Sequence, residues 1–243
     1  MGKYIGANHV HGTWFGGIDS SFGGVFQDEE VLIGSGLDYI PCVIGDISGA
    51  YILFGKNVAE RQPHTFEDYS ICMMKTIQDY FGDYSNIDER MNNYPDTDFI
   101  EDGIPIGKVS DLKGKNAAMC VERAMVAQNL LKLLGINSYY KSSGIIKNGK
   151  KDVHSYNVVE YGGRYYIFDA TIPTLIDGEV CPIVAEITDE VFKELIPVRN
   201  RNGISVEVSH YNPLMSEDVT IIYDSGRDMK YDVTKKEIIG KNK

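Results

Sequence analysis

One stretch constrains the fold of this chain more than any other: DVHSYNVVEYGGRYYIFDAT, Asp152 to Thr171. Apolar and polar residues alternate on both sides of Gly162-Gly163, and a period of two is the mark of a strand with one buried face. A Gly-Gly pair between two such runs favours a two-residue hairpin turn. The register follows by counting outward: Tyr161 pairs with Arg164, Tyr156 faces Asp169, and His154 faces Thr171. Opposed residues share a face, and so do residues two apart. His154 and Asp169 are therefore diagonal neighbours on one face, unless a one-residue bulge shifts the register.

A histidine and a carboxylate so placed suit two roles. For an arbitrary pair the commoner one is a core histidine held by its partner. The other is a general base whose tautomer and orientation the carboxylate fixes, and that role needs a nucleophile on another element. The clearest helix of the chain supplies one: NAAMCVERAMVAQNLLKLLGI, with Asn116 expected as its cap and Gly135 as its end. Val121, Ala124, Gln128 and Leu131 fall on one stripe and few positions are polar, so this helix is expected to be buried and central.

Cys120 lies four residues after the expected cap. Near a helix N-terminus the dipole and the unbonded N–H groups favour a thiolate, and a backbone N–H there can stabilise a tetrahedral oxyanion. A cysteine among Ala, Met and Val is also an ordinary core filler. Cys, His and Asp arriving in that order on helix, strand and adjacent strand favour the nucleophile. On the same helix Glu122 is expected to face solvent, and Arg123 to pair with an acidic residue or shape the cleft.

Around this centre the pattern is mixed. Residues 1–62 are glycine-rich with short apolar runs, EVLIG, YIPCVIG and AYILFG, which read as short strands and turns. A helix is expected from Thr65 over TFEDYSICMMKTIQDYFG, with Glu67 and Asp68 in its first turn and Gly82 as its stop. Asp83 to Lys115 reads mostly as connecting loop, with room for a short helix in SNIDERMNN. After Gly135 the period becomes that of strands, through INSYYKSSGII, the hairpin, LIDGEVCPIV, GISVEVSHY and the tail, with a brief helix over 188–196. The simplest layering is an α+β fold with the cysteine-bearing central helix packed against an antiparallel β-sheet. Residues 1–62 form an N-terminal segment or small lobe, and residues 63–243 form the main domain.

Three local features recur together in one known family. Cys120 opens a helix ending in LLKLLGI, residues 130–136. His154 is followed by an aromatic at Tyr156, near a strand start. Asp169 closes the next strand in FDAT, before Thr171. In this order the segment from Lys115 to Thr171, about a quarter of the chain, resembles the core of the transglutaminase-like superfamily of papain-like cysteine enzymes. The resemblance implies a papain-like/transglutaminase-like α+β core, with Cys120 as nucleophile, His154 as base and Asp169 as its orienter. It also implies a peptide or protein substrate. Family members commonly carry glycine before the cysteine and tryptophan or tyrosine after it, where this chain has Met119 and Val121. For the side chain that assists the oxyanion, Trp14, Gln62 and Gln78 are the candidates.

Composition removes several other classes. A net charge of −11 with no basic stripe argues against a nucleic-acid partner. No apolar run reaches the length of a membrane span, and the N-terminus has no continuous apolar segment of the secretory kind, so no membrane partner and a cytoplasmic location are expected. The cysteines at 42, 72, 120 and 181 are scattered without C-x-x-C, which argues against a structural zinc site and a disulfide framework. Cys42 and Cys72 are expected as buried small hydrophobes and Cys181 as structural. His9 and His11 have no third ligand within reach by sequence, and no calcium loop is legible, so neither metal nor cofactor is expected. The expected function is a cysteine-dependent hydrolase acting on an amide bond of a peptide or protein. Transglutaminase-type acyl transfer and a non-catalytic binding role are the alternatives, with acyl transfer to an arylamine ranked below both.

Overall fold

A two-residue turn of this kind needs positive φ at both central positions, and in the computed structural model of the chain Gly162 (φ 59°) and Gly163 (φ 75°) both supply it. The structure describes residues 20–27, 42–83, 90, 92–94, 100–101, 104–105, 107–147, 150–176, 179–195, 203–211, 218–224, 226–232 and 237–239.

In chain order the described strands are β1 (Ser20–Phe22), β2 (Cys42–Val43), β3 (Ile100–Glu101), β4 (Ile104–Pro105), β5 (Gly107–Lys108), β6 (Asn137–Lys147), β7 (Lys150–Tyr161), β8 (Arg164–Ile176), β9 (Glu179–Ile187), β10 (Gly203–Tyr211), β11 (Asp218–Asp224), β12 (Gly226–Asp232) and β13 (Glu237–Ile239). The helices used below are α1 (Ser48–Arg61), α2 (Phe66–Phe81), α3 (Cys120–Leu133) and α4 (Asp189–Leu195).

The hairpin of β7 and β8 pairs from Tyr161↔Arg164 to Asn157↔Phe168, the register expected from the turn. It sits inside a nine-stranded sheet of order β13-β12-β10-β11-β6-β7-β8-β9, with β1 also on β6. The pairs are antiparallel except β10 with β12, which is parallel, so the sheet is mixed rather than purely antiparallel. Chain direction explains this exception. β12 follows β11 after a reversal and so runs in the direction of β10. Both edges of β11 are taken by β10 and β6, so β12 lies beside β10 and can only be parallel to it.

Alternation explains the doubled tyrosines. Tyr166 meets Phe66 of α2 at 4.8 Å between ring centroids, while its neighbour Tyr165 meets Phe192 of α4 at 4.3 Å on the opposite face. Tyr140 likewise packs on Phe26, and Tyr139 on Phe192. The sheet is thus covered on both faces, with α3 against β6, β7 and β8 and α4 on the other side.

The helix over TFEDYSICMMKTIQDYFG forms as the sequence specifies. The Thr65 hydroxyl accepts the Asp68 N–H (3.1 Å), the Asp68 carboxylate accepts the Thr65 N–H (3.3 Å), and Gly82 at φ 86° closes the far end. The AYILFG run, by contrast, belongs to helix α1 and is not a strand. Its buried residues Ala50, Phe54 and Asn57 recur at helical spacing. Ile52, 73% exposed, and Gly55 disguise that stripe in the sequence. α1 packs on α2 and α3, and its Ala50 and Phe54 share one hydrophobic core with Met73, Leu130 and Phe168. In SNIDERMNN, Arg90, Asn92 and Asn93 are helical, and the rest of the described interval to Lys115 is short strands, turns and a 3-10 helix at Val109–Leu112. The EVLIG run lies outside the described residues.

Helix α3 is the buried central helix, with every residue from Cys120 to Leu131 buried. Its start differs from expectation. Asn116 is not the cap: its backbone is left-handed (φ 52°), and its side-chain oxygen accepts the Asp83 N–H at 3.1 Å. Met119, in an extended conformation, is the N-cap, so Cys120 is the first helical residue. Among the described residues no helix is long and apolar enough to cross a membrane.

Candidate functional site

The β7–β8 ladder ends at Asn157–Phe168, one step before Tyr156 would meet Asp169. Just beyond that end the His154 and Asp169 side chains meet. His154 Nε2 lies 2.6 Å from Asp169 Oδ2, as short as the tightest charge-assisted hydrogen bonds between nitrogen and oxygen. The second carboxylate oxygen, Oδ1, accepts the Thr171 N–H at 2.9 Å. Both oxygens of Asp169 are therefore committed, and its orientation is fixed. Neither group is in water: Asp169 is fully buried and His154 is 4% exposed. The imidazole is nearly parallel to the Tyr156 ring at 19°, with centroids 6.3 Å apart.

Burial works to lower the pKa of His154, but the Asp169 charge and hydrogen bond, together with a hydrogen bond and charge from Cys120, push it up to about 10. The ring so placed keeps its second proton through neutral pH.

Cys120 itself is buried at the first position of α3, closer to the helix end than an Asn116 cap would have placed it. Its surroundings correct one expectation. Glu122 does not face solvent: it is fully buried and paired with Arg90 at 2.6 Å. Its other oxygen accepts the Met119 N–H at 3.0 Å. Burial works against the Arg90 charge, and the Glu122 carboxylate more than offsets it, so the guanidinium titrates above its usual range. Arg123 gives Nε to Ala118 O (3.1 Å) and Nη2 to Gly82 O (2.7 Å). Tyr140 joins Ser155 through a 2.7 Å hydroxyl pair, and burial first, with the Cys120 charge among lesser causes, holds its pKa well above normal.

Gln62 is exposed at the C-terminus of α1, and Gln78 reaches Asp83 at the end of α2 (3.4 Å). Trp14, His9 and His11 lie outside the described residues. Cys42, Cys72 and Cys181 are buried and in no disulfide. Cys42 Sγ lies 3.8 Å from Met125 Sδ, and burial, reinforced by the Glu122 charge, pushes its pKa far up. Among the described residues no group of three or more His, Cys, Asp or Glu is arranged to hold a metal ion. A cleft of about 260 Å³ opens at the start of α1, between Ile44, Asp46, Tyr51 and Asn129. Asn129 is nine residues along α3 from Cys120, about 13 Å by helical rise, so this cleft is not at the thiol.

Arg90 was missed by sequence reasoning. It lies in a turn-prone interval with no periodicity to mark it, and only its bonds to Glu122 and Ala117 O give it a place at the site. Comparison with known proteins adds no further constraint: no protein-family model and no curated protein matches the chain.

Proposed function

We propose that the protein is a cysteine-dependent hydrolase of the papain-like, transglutaminase-like type, cleaving an amide bond of a peptide or protein. One observation carries the reading: a buried imidazole is bonded to the fixed carboxylate of Asp169, and the Cys120 side chain is among the groups that raise its pKa. The Cys120 thiolate attacks the carbonyl carbon and the π electrons move to oxygen. Collapse of the tetrahedral adduct expels the amine, which takes its proton from His154, and leaves an acyl-thioester on Cys120. Water then gives a proton to His154 and attacks the thioester. The carboxylic acid leaves, and the thiolate and imidazolium are restored. Asp169 holds the ring in register throughout. Four free thiols suit a reducing, cytoplasmic setting.

The test is per-cysteine alkylation of the folded protein with iodoacetamide at neutral pH, read by peptide mass spectrometry. Cys120 is expected to react well ahead of Cys42, Cys72 and Cys181, and Cys120→Ser to remove that fast site. A peptide-library digest should then show cleavage with the wild type and none with Cys120→Ser. Equal sluggishness of all four thiols would sink the reading.

A further inference from the structure

Three consecutive residues before Cys120 have a backbone group held by a buried charged side chain. Arg90 Nη1 donates to Ala117 O (2.9 Å), Arg123 Nε donates to Ala118 O (3.1 Å), and Glu122 Oε2 accepts the Met119 N–H (3.0 Å). Arg90 and Glu122 are joined to each other with no solvent contact, and Arg123 is 1% exposed. Burying such charges costs several kcal/mol per ion before pairing, and apolar replacements of a buried pair are often no less stable. Stability is therefore a weak reason for this arrangement.

Local preference supplies a better one. Asn-Ala-Ala-Met is a good helix start, with a favoured capping residue followed by the strongest helix former. Left to propensity, α3 would begin at Ala117, and the carbonyls of Ala117 and Ala118 would accept the N–H groups of Val121 and Glu122. The two arginines hold those carbonyls instead, and Glu122 caps the Met119 N–H. Residues 117–119 stay outside the helix, and Cys120 becomes its first residue rather than its fourth.

We propose that Arg90 and Glu122 are positioning residues that stop α3 at Cys120 and so hold its thiol against His154. The inference rests on the reading of Cys120 as nucleophile. A misplacement of about 1 Å in such a site costs on the order of a hundredfold in rate, so a slipped helix start should be easy to detect.

The experiment compares wild type with Glu122→Gln, Arg90→Lys and the double variant Arg90→Met/Glu122→Leu. Each cysteine is alkylated with iodoacetamide across pH, alongside thermal melting and the ¹³Cα shifts of Ala117 and Ala118. In Glu122→Gln an amide replaces one carboxylate oxygen, so the bonds to Arg90 and to the Met119 N–H cannot both be kept. Cys120 alkylation should slow at least roughly tenfold, and the alanine shifts should move toward helical values. Arg90→Lys, keeping the charge but not the fork, should fall between. The double variant should melt near wild type yet keep the slow thiol. A folded double variant with the wild-type Cys120 rate and pH midpoint would overturn the proposal. So would a double variant that unfolds, marked by alkylation of all four thiols, because the pair would then serve stability. If Cys120 is no faster than the other three in the wild type, it is the nucleophile reading that fails, and the wild-type arm shows this separately.

Discussion

Asp169→Asn is the substitution that tests the buried pair most directly. The carboxylate has two fixed partners, His154 Nε2 at 2.6 Å and the Thr171 N–H at 2.9 Å. An asparagine cannot serve both as the carboxylate does. With its oxygen toward Thr171, the amide N–H₂ faces Nε2, and the ring must move its proton to Nδ1. With its oxygen toward His154, the amide N–H₂ opposes the Thr171 N–H, and a buried donor is left unsatisfied. Losing the charge-assisted component and leaving one buried donor poorly served costs about 3 kcal/mol together. For a chain of this size that is roughly 6–12 °C in melting temperature. The pH dependence has a definite sign. His154 has a folded pKa raised to about 10, above its ordinary value of 6.5, so its stabilising contribution is complete below pH 6.5 and fades as pH rises toward 10. The gap between wild type and Asp169→Asn, measured by urea denaturation from pH 6 to pH 10, should therefore be widest at the acidic end and narrow upward. A gap below about 0.5 kcal/mol at pH 6.5, within the range of ordinary surface substitutions, or one that widens with pH, would refute the reasoning.

Three further substitutions probe the frame around the site. Thr65→Ala removes the hydroxyl that accepts the Asp68 N–H and should cost about 1 kcal/mol in a thermal or denaturant melt. Gly163→Ala meets no atom within 4 Å but imposes a side chain at φ 75°, so a loss of about 1–2 kcal/mol should come from backbone strain alone. Gly163→Asn should recover part of that loss, because asparagine tolerates the left-handed region better. Phe66→Ala removes a ring that is 1% exposed and packs against Tyr166 at 4.8 Å and Tyr161 at 5.7 Å. A loss of about 3–5 kcal/mol is expected on denaturant unfolding.

Features legible in the sequence were those fixed by local chemistry. The Gly-Gly turn set the hairpin register because only glycine takes two positive φ values in succession at little cost. The box at Thr65 and Asp68 and the stop at Gly82 bounded α2, since each satisfies backbone groups within its own segment. The apolar character of α3 marked it as central. Where several segments compete for the same backbone, local rules failed. α1 was hidden because an exposed Ile52 and a mid-helix Gly55 blur its stripe. The start of α3 was misplaced because Asn116 and two alanines satisfy every local rule for a helix beginning there, while Arg90, twenty-seven positions from Ala117, takes the carbonyl the first turn would have used.

The hairpin register from Tyr161–Arg164 to Asn157–Phe168 follows from counting residues outward from a turn, so the sequence by itself determined it and brought His154 and Asp169 to the end of the same hairpin. The proposed partnership with Cys120 does not follow that way. Alternation along β7 sends Asn157 toward α3, where it donates to Ala124 O, and taken strictly it sends His154 to the opposite face. Only the tertiary structure ends the β7–β8 ladder at Asn157 and starts α3 at the cysteine, the two features on which the proposed partnership rests. The physical reason is range. A hairpin register is set by two glycines and a period of two, whereas at the start of α3 the Ala117 carbonyl is taken by Arg90, a buried charge from a distant part of the chain.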